Sequence, residues 1–296
     1  MQKIKLLYNP NSGLGNFSSH IDDLLLEFQP EYDFSINRII NYNLNNYFDK
    51  NINDEFDIIM VAGGDGTVNS VVSAMLKNEI NLPLAVIPTG TVNDYASYFT
   101  MPKNFEKLYK IINERKTKLV DVGKVNNKYF INVCAGGFIT TVPHKTDSKL
   151  KNKLGKVAYY LKGIQELPVF KSLPLHFTTN SEEFEEEIFM FMIVNSNRAG
   201  GFKNINPKNI INDGKFELIA IKYTKLYEMS NALIDIFINK KLTNKNIIYL
   251  KSDYYKIENL SKRYGDHTDI DGERGPNYPI QINVINKRLS VFTNNV

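Results

Sequence analysis

One cysteine in 296 residues, Cys134, leaves no partner within the chain, so no internal disulfide holds this fold. That suits a reducing compartment, and the protein is expected in the cytoplasm. In its apolar stretch Cys134 reads as a small packed residue rather than a nucleophile. The four histidines, His20, His144, His176 and His267, lack metal-ligand spacing and are given no role. No run of about 18 apolar residues occurs, so no transmembrane helix is expected. The start, Met1 to Leu6, enters a strand at once and lacks a signal-peptide core. No basic-aromatic motif of a nucleic-acid reader stands out. The formal charge of +4 is a mild bias that helps attract nucleotides or anionic head groups without identifying either.

What is present suits a globular protein of about two domains: 43% of residues are hydrophobic and 23% charged. Residues 3–8 read as a strand ending in the turn-rich loop Asn9-Pro10-Asn11-Ser12-Gly13-Leu14-Gly15. A helix is expected over about 17–28, from apolar spacing at Ile21, Leu24, Leu25 and Phe28. A strand at 33–40 and a short helix at 43–48 come next. The strand around Phe56 to Met60 delivers Gly63-Gly64-Asp65-Gly66-Thr67, and a helix follows from Val68 to Leu76. Residues 84–87 form another strand, ending at Pro88-Thr89-Gly90-Thr91-Val92-Asn93-Asp94, where Asn93 or Asp94 is placed to cap a helix. A further helix spans about 105–113. Strands alternating with helices predict a doubly wound, mostly parallel sheet, whose ligands bind outside the carboxyl ends of the strands. Three glycine-rich loops on one rim suit a polyphosphate. Taken alone, the Gly-Gly-Asp-Gly run has an ordinary tight turn as its alternative reading. Asp65 within it suggests a metal ion or a transferable proton.

Beyond about residue 120 the pattern changes. Residues 119–125 and 128–133 read as a hairpin about Asn126-Asn127. Further strands are expected at 173–179, 187–195, 215–221, 246–250, 254–260 and 279–284, with helices at about 149–167 and 225–237. This half predicts an antiparallel β domain. The division is 1–122, an α/β nucleotide-binding domain; 123–284, a β-rich domain; and 285–296, a last strand returning to the first domain.

In order along the chain stand Asn9-Pro-Asn-Ser-Gly13, Gly63-Gly-Asp-Gly-Thr67, Pro88-Thr-Gly-Thr-Val-Asn-Asp94, Asp121-Val-Gly123, Ala135-Gly-Gly-Phe138, Asn212-Asp-Gly214 and Asp271-Gly-Glu273. Each run is common, but seven in this order are specific. On them the chain resembles the bacterial diacylglycerol-kinase-like soluble lipid kinases, relatives of sphingosine kinases and, more distantly, of NAD kinases. The resemblance implies a β-sandwich-like second domain and an active site in the interdomain cleft. It implies ATP with its phosphates on Asn9, Pro10, Asn11, Ser12 and Gly13 and on Gly63, Gly64, Asp65, Gly66, Thr67, Val68 and Asn69. Thr91 would add a hydroxyl, and Asn41 stands where the family has a threonine. Ser70 replaces the family's usual Glu. Mg²⁺ would lie with the phosphates at Asp65. A second metal position is implied at Asp213, with the carbonyls of Ile210 and Lys215.

Transfer of a phosphoryl group to an alcohol needs a base at the hydroxyl and little covalent help. The resemblance makes Asp271 the base and Glu273 the alternative, with Asp269 structural. Without it, Asp269 to Gly275 reads equally well as an acidic surface turn, and Asn212 to Gly214 as a simple turn into a strand. Lys145, Lys149, Lys151, Lys153, Lys156 and Lys162 flank Leu154, Val157, Tyr160, Leu161 and Ile164. That segment suits contact with an anionic membrane, although a packed helix with a solvated lysine face is the more common case for such a pattern. The expected activity is an ATP- and Mg²⁺-dependent lipid kinase whose substrate is presented at a membrane surface. A homodimer is left open, and no nucleic acid is expected. The alternatives are an NAD kinase-like enzyme and a non-catalytic nucleotide- or lipid-binding protein.

Overall fold

A computed structural model describes the chain except residues 14–16, 40–43, 49–50, 139–171, 200–201, 207–209, 262–266 and 296. The helix expected at 149–167 and the lysines around it therefore lie outside the described residues. The chain divides into two compact units, residues 1–122 with 287–296, and residues 123–286.

Unit 1 is built on β1 (Gln2–Tyr8), β2 (Tyr32–Arg38), β3 (Ile58–Gly63) and β4 (Leu84–Pro88), parallel and in the order β2-β1-β3-β4. Every residue of β3 and β4 is buried. That matches their unbroken apolar sequences, which have no polar face to give to water. The crossovers are α1 (Ile21–Phe28), the short α2 (Ile52–Glu55) and α3 (Asp65–Lys77). After β4 come α4 (Asp94–Tyr98) and α5 (Phe105–Asn113), the latter capped by Asn104, which accepts from Lys107 N at 2.9 Å. The strand order reverses between β1 and β3, so the loops leaving these two strands open a crevice at their carboxyl ends.

Unit 2 is antiparallel, and its organising strand is β9. Its elements are β5 (Thr117–Val125, which enters from unit 1), β6 (Lys128–Phe130), β7 (Val133–Gly137), β8 (Leu173–Thr179) and β9 (Glu183–Val194). The first half of β9 carries four Glu around Phe184 and pairs with β8. Its second half, Ile188 to Val194, is wholly buried between β7 and β12 (Phe216–Lys222). One core holds Phe130, Phe177, Phe191, Phe216, Tyr255 and Ile282. The other is closed by α6 (Leu226–Ile234), whose Met229, Ala232 and Leu233 meet Phe189, Phe202 and Phe237. Each large apolar side chain removed from water contributes about 1.5–3 kcal/mol. β13 (Ile247–Ser252), β14 (Tyr254–Asn259), β15 (His267–Ile270) and β16 (Glu273–Asn277) complete the sheet.

Two expectations need correction. The separate strands at 279–284 and 288–293 are one strand, β17 (Ile280–Phe292). Lys287, at φ +50°, kinks it, and its amide donates to the buried Asp121 carboxylate at 2.7 Å. The polar Asn286-Lys287 pair marks that kink rather than a loop. Asp65 is likewise not in mid-loop. It opens α3, and Gly64 is the N-cap.

Candidate active site

At the ends of β1, β3 and β4, three loops of unit 1 touch. Asn9 extends the sheet by donating from its amide to Ala62 O at 3.0 Å. Its side chain does two further things. Oδ1 accepts from Asn11 N at 2.9 Å, bending the chain, and Nδ2 donates to Thr67 Oγ1 at 3.0 Å. Thr67 itself lies against Gly63, where a methyl group would overlap it. A methyl on Gly90 would overlap Gly64 Cα, and one on Gly64 would stand 3.5 Å from Ser12 Oγ. Gly13 packs in the same way on the Thr89 carbonyl. The loops therefore meet backbone to backbone, which only side-chain-free residues permit. Asn9, Ser12, Gly13, Gly63, Gly64 and Thr67 are brought together. Thr91 is exposed on the β4 loop, and Asn41 lies outside the described residues.

No side chain caps α3 at Gly64. The first-turn amides of this 13-residue helix are thus available to an anion, favoured by the dipole. Asp65 Oδ1 accepts from Tyr95 N at 3.0 Å, linking α3 to α4, and Oδ2 has no partner among the described residues. A single carboxylate oxygen beside an uncapped helix N-terminus could hold Mg²⁺, which favours few protein ligands with phosphate and water. Asn69 is 7% exposed, and its Oδ1 is buried without a partner among the described residues, as is Thr89 Oγ1. Ser70 donates to Gly66 O at 2.8 Å and so stays within its own helix. The expected cap at Asn93 is absent. At φ +53° its side chain turns back, accepting from Gly90 N at 2.9 Å and donating to Gly90 O at 2.6 Å. It closes the β4 loop instead of capping α4.

In unit 2, β15 and β16 pair with Ile270 opposite Glu273, so Asp271-Gly272 is a two-residue hairpin turn. Their φ values, +51° and +87°, are those of a type I′ turn, for which Asp-Gly is suited. Asp271 Oδ2 accepts from Ile131 N at 2.7 Å, and Oδ1 accepts from Asn132 N at 3.0 Å and Val133 N at 2.8 Å. These are the amides at the break between β6 and β7. Asp269, 8% exposed, accepts from Gly272 N at 3.0 Å and fastens the turn from inside. Of the three carboxylates only Glu273 is exposed. Sequence reasoning passed over the residues that hold the 131–133 corner. Asn195 donates to Ile131 O at 2.9 Å, and Ser196 Oγ bonds Asn132 Oδ1, all four of these polar groups lying at strand ends. The run Asn195-Ser196-Asn197 after an apolar strand was the available signal. Burial, with the charges of Asp269 and Asp271, pushes the Cys134 thiol far up, so it stays protonated and packed.

The second implied metal position fits less well. Asp213 Oδ1 accepts from Lys215 N at 3.1 Å, and Oδ2 is 2.6 Å from Lys251 Nζ. Ile210 is exposed. Among the described residues no three His, Cys, Asp or Glu side chains gather as a metal set.

Comparison with known proteins accords with this arrangement. Residues 3–125 match the diacylglycerol kinase catalytic domain, and residues 133–293 match the YegS C-terminal NAD kinase beta sandwich-like domain. A diacylglycerol kinase of Bacillus subtilis strain 168 is 33% identical over 282 residues, 94% of this chain and 92% of that one. One from Staphylococcus aureus strain MRSA252 is 30% identical over 298 residues, 99% of this chain and 93% of that one. The crystal structure of a diacylglycerol kinase from Bacillus anthracis strain Sterne superposes with a TM-score of 0.79 at 26% identity, covering 99% and 98% of the two chains. An α/β domain joined to a sandwich-like one, with these relatives, defines an enzyme of the lipid kinase class. The chain belongs to the diacylglycerol kinase family. Kinases of this kind use ATP as phosphoryl donor. No helix among the described residues is long and apolar enough to cross a membrane.

Proposed function

We propose that the chain transfers the γ-phosphate of ATP to a hydroxyl of diacylglycerol or a related amphiphilic lipid, with Mg²⁺. The observation that carries this is the contact of three glycine-bearing loops beside an uncapped helix N-terminus. Such a surface offers amide donors and a positive dipole end to a triphosphate and little to a neutral ligand. Asn69 and Thr89 add buried polar atoms still lacking partners. The lipid oxygen forms a bond to the γ-phosphorus as the bond to the ADP oxygen breaks, and the hydroxyl proton passes to a base. Glu273 is the better base, because three amides already occupy the Asp271 carboxylate. When bound, Mg²⁺ would neutralise phosphate charge, and Asp65 would hold it.

The substrate is a membrane lipid, so the enzyme works at a membrane surface from the cytoplasmic side. The lysine-rich 145–164 segment proposed for that contact lies outside the described residues. Among those described, exposed Tyr223, Leu226 and Tyr227 stand beside Lys225 in sequence, a combination that suits an anionic interface. The test is incubation with γ-labelled ATP, Mg²⁺ and diacylglycerol in mixed micelles. Labelled phosphatidic acid is expected, and none from any lipid offered ends the kinase reading. A wild-type-like rate in Glu273→Gln removes that residue as base.

A further inference from the structure

A three-membered group of charges in unit 2, Asp213, Lys251 and Glu217, stands where the family resemblance implies a second metal. Glu217 lies opposite Lys251 in the β12–β13 pair, and Ile219 opposite Tyr249, so Glu217, Lys251 and Tyr249 share one face. Glu217 is 1% exposed. Its Oε2 accepts from Asn206 Nδ2 at 2.8 Å, and the same Nδ2 is 3.1 Å from Tyr249 Oη. Lys251 Nζ lies 3.8 Å from Glu217 Oε1 and 2.6 Å from Asp213 Oδ2. One ammonium thus bridges a buried carboxylate and the carboxylate of the 213 turn. With Oδ1 accepting from Lys215 N, both oxygens of Asp213 are engaged.

We infer that the Lys251 ammonium is the resident cation here, joining the 213 turn to the β12–β13 sheet, and that Asp213 binds no divalent metal. A metal at Asp213 has to displace the ammonium and leave it beside a buried Glu217 with one counter-charge fewer. Removing one member of a buried ionic group exposes the cost of desolvating the others. Mg²⁺ gains little in return, since it requires octahedral oxygen ligation and gives up water reluctantly. Lysine supplies the same link with a single side chain, and it does so at any metal concentration. Unit 2 therefore keeps its 213 turn under chelation, while any metal requirement of the enzyme belongs to the nucleotide.

The test uses the nucleotide-free full chain, so it does not depend on the kinase reading. Bound Mn²⁺ is counted by electron paramagnetic resonance for wild type and Asp213→Asn. Equal counts are expected; one ion fewer in Asp213→Asn overturns the inference. Thermal unfolding is the second readout. Wild type is expected to melt at the same temperature with and without EDTA. Lys251→Met is expected to melt lower and to recover part of the loss in Mg²⁺. Should Asp213→Asn fail to fold, an EDTA-sensitive melting point that persists in Asp65→Asn overturns it.

Discussion

Asp271 and Val133 exchange hydrogen bonds: the Asp271 amide donates to Val133 O at 2.9 Å, and the Val133 amide donates to Asp271 Oδ1 at 2.8 Å. With Ile131 and Asn132 the carboxylate gathers three consecutive amides. This aspartate therefore behaves as an anchor for the turn that presents Glu273. Replacing it by Asn turns an acceptor oxygen into an NH₂ group facing N–H donors. Asp271→Asn is expected to lose about 1–3 kcal/mol of stability, the usual cost of leaving buried donors unpaired. Glu273→Gln, at an exposed position, is expected to lose turnover by about 100-fold or more with little change in unfolding midpoint. Denaturant unfolding beside initial-rate assays separates the two. A stable but inactive Asp271→Asn would return the base to Asp271.

The contact of Gly64 with Gly90 makes its own prediction. A methyl group at 90 overlaps Gly64 Cα and stands 2.8 Å from Asn93 Oδ1, which also closes the loop by accepting from Gly90 N. Gly90→Ala must push the β3 and β4 loops apart. A loss of about 1.4 kcal/mol or more in nucleotide binding, or tenfold in KM for ATP, is expected. The KM for lipid is expected to change less. An unchanged ATP KM would show that these loops do not grip the nucleotide.

Tyr255 tests the packing of unit 2. Fully buried, its hydroxyl donates to Phe216 O at 2.6 Å and accepts from Ser252 N at 2.9 Å, tying β12 and β13 to β14. Burial raises its pKa far beyond the ordinary phenol range, so it remains a neutral donor. Tyr255→Phe keeps the ring but leaves a carbonyl and an amide without that partner. The expected cost is about 1–3 kcal/mol, read from the urea midpoint at unchanged slope. A neutral substitution would mean that water takes up the slack.

The α/β half was legible because its signals are local. Apolar runs such as Ile58 to Ala62 lead straight into glycine turns, and three such turns on parallel strands have one rim to share. Asn126-Asn127 marked its hairpin for the same reason: Val125 pairs with Lys128 and Asn126 takes φ +50°. The Asp271-Gly272 hairpin was harder to see, although Asp-Gly is a strong turn signal. Its strands, His267–Ile270 and Glu273–Asn277, are short and polar and carry little alternation. They are held by β7 and by the amides of residues 131–133 that bond the Asp271 carboxylate, both far away in sequence. Asp65 joined α3 despite two flanking glycines because its side chain is fixed by Tyr95 N, thirty residues on. Lys251 carries no motif, and its pairing with Asp213 appears only once β12 and β13 are in register. Local chemistry wrote the loops; distant partners chose which carboxylates remain exposed.

His176 gives unit 2 a pH response whose sign can be worked out. It lies on β8, opposite Glu185 of β9 and Glu258 of β14, with Nδ1 3.3 Å from Glu185 and Nε2 2.8 Å from Glu183. Lys256, paired with Glu258 at 2.8 Å, is the nearby positive group. The bond to Glu185 is the largest cause raising the His176 pKa above 6.5; partial burial opposes it, and Glu183 adds to it. The folded state therefore holds the proton more tightly than the unfolded state does. The stabilisation is fully present below the unfolded value of 6.5 and is lost as pH rises through the higher folded value. Wild type is expected to melt progressively lower as pH passes upward through that window, and His176→Gln to lose that part of the slope. The pairs are exposed on the glutamate side, so high salt should flatten the wild-type profile too. Parallel Tm–pH curves for the two proteins would remove His176 as the source.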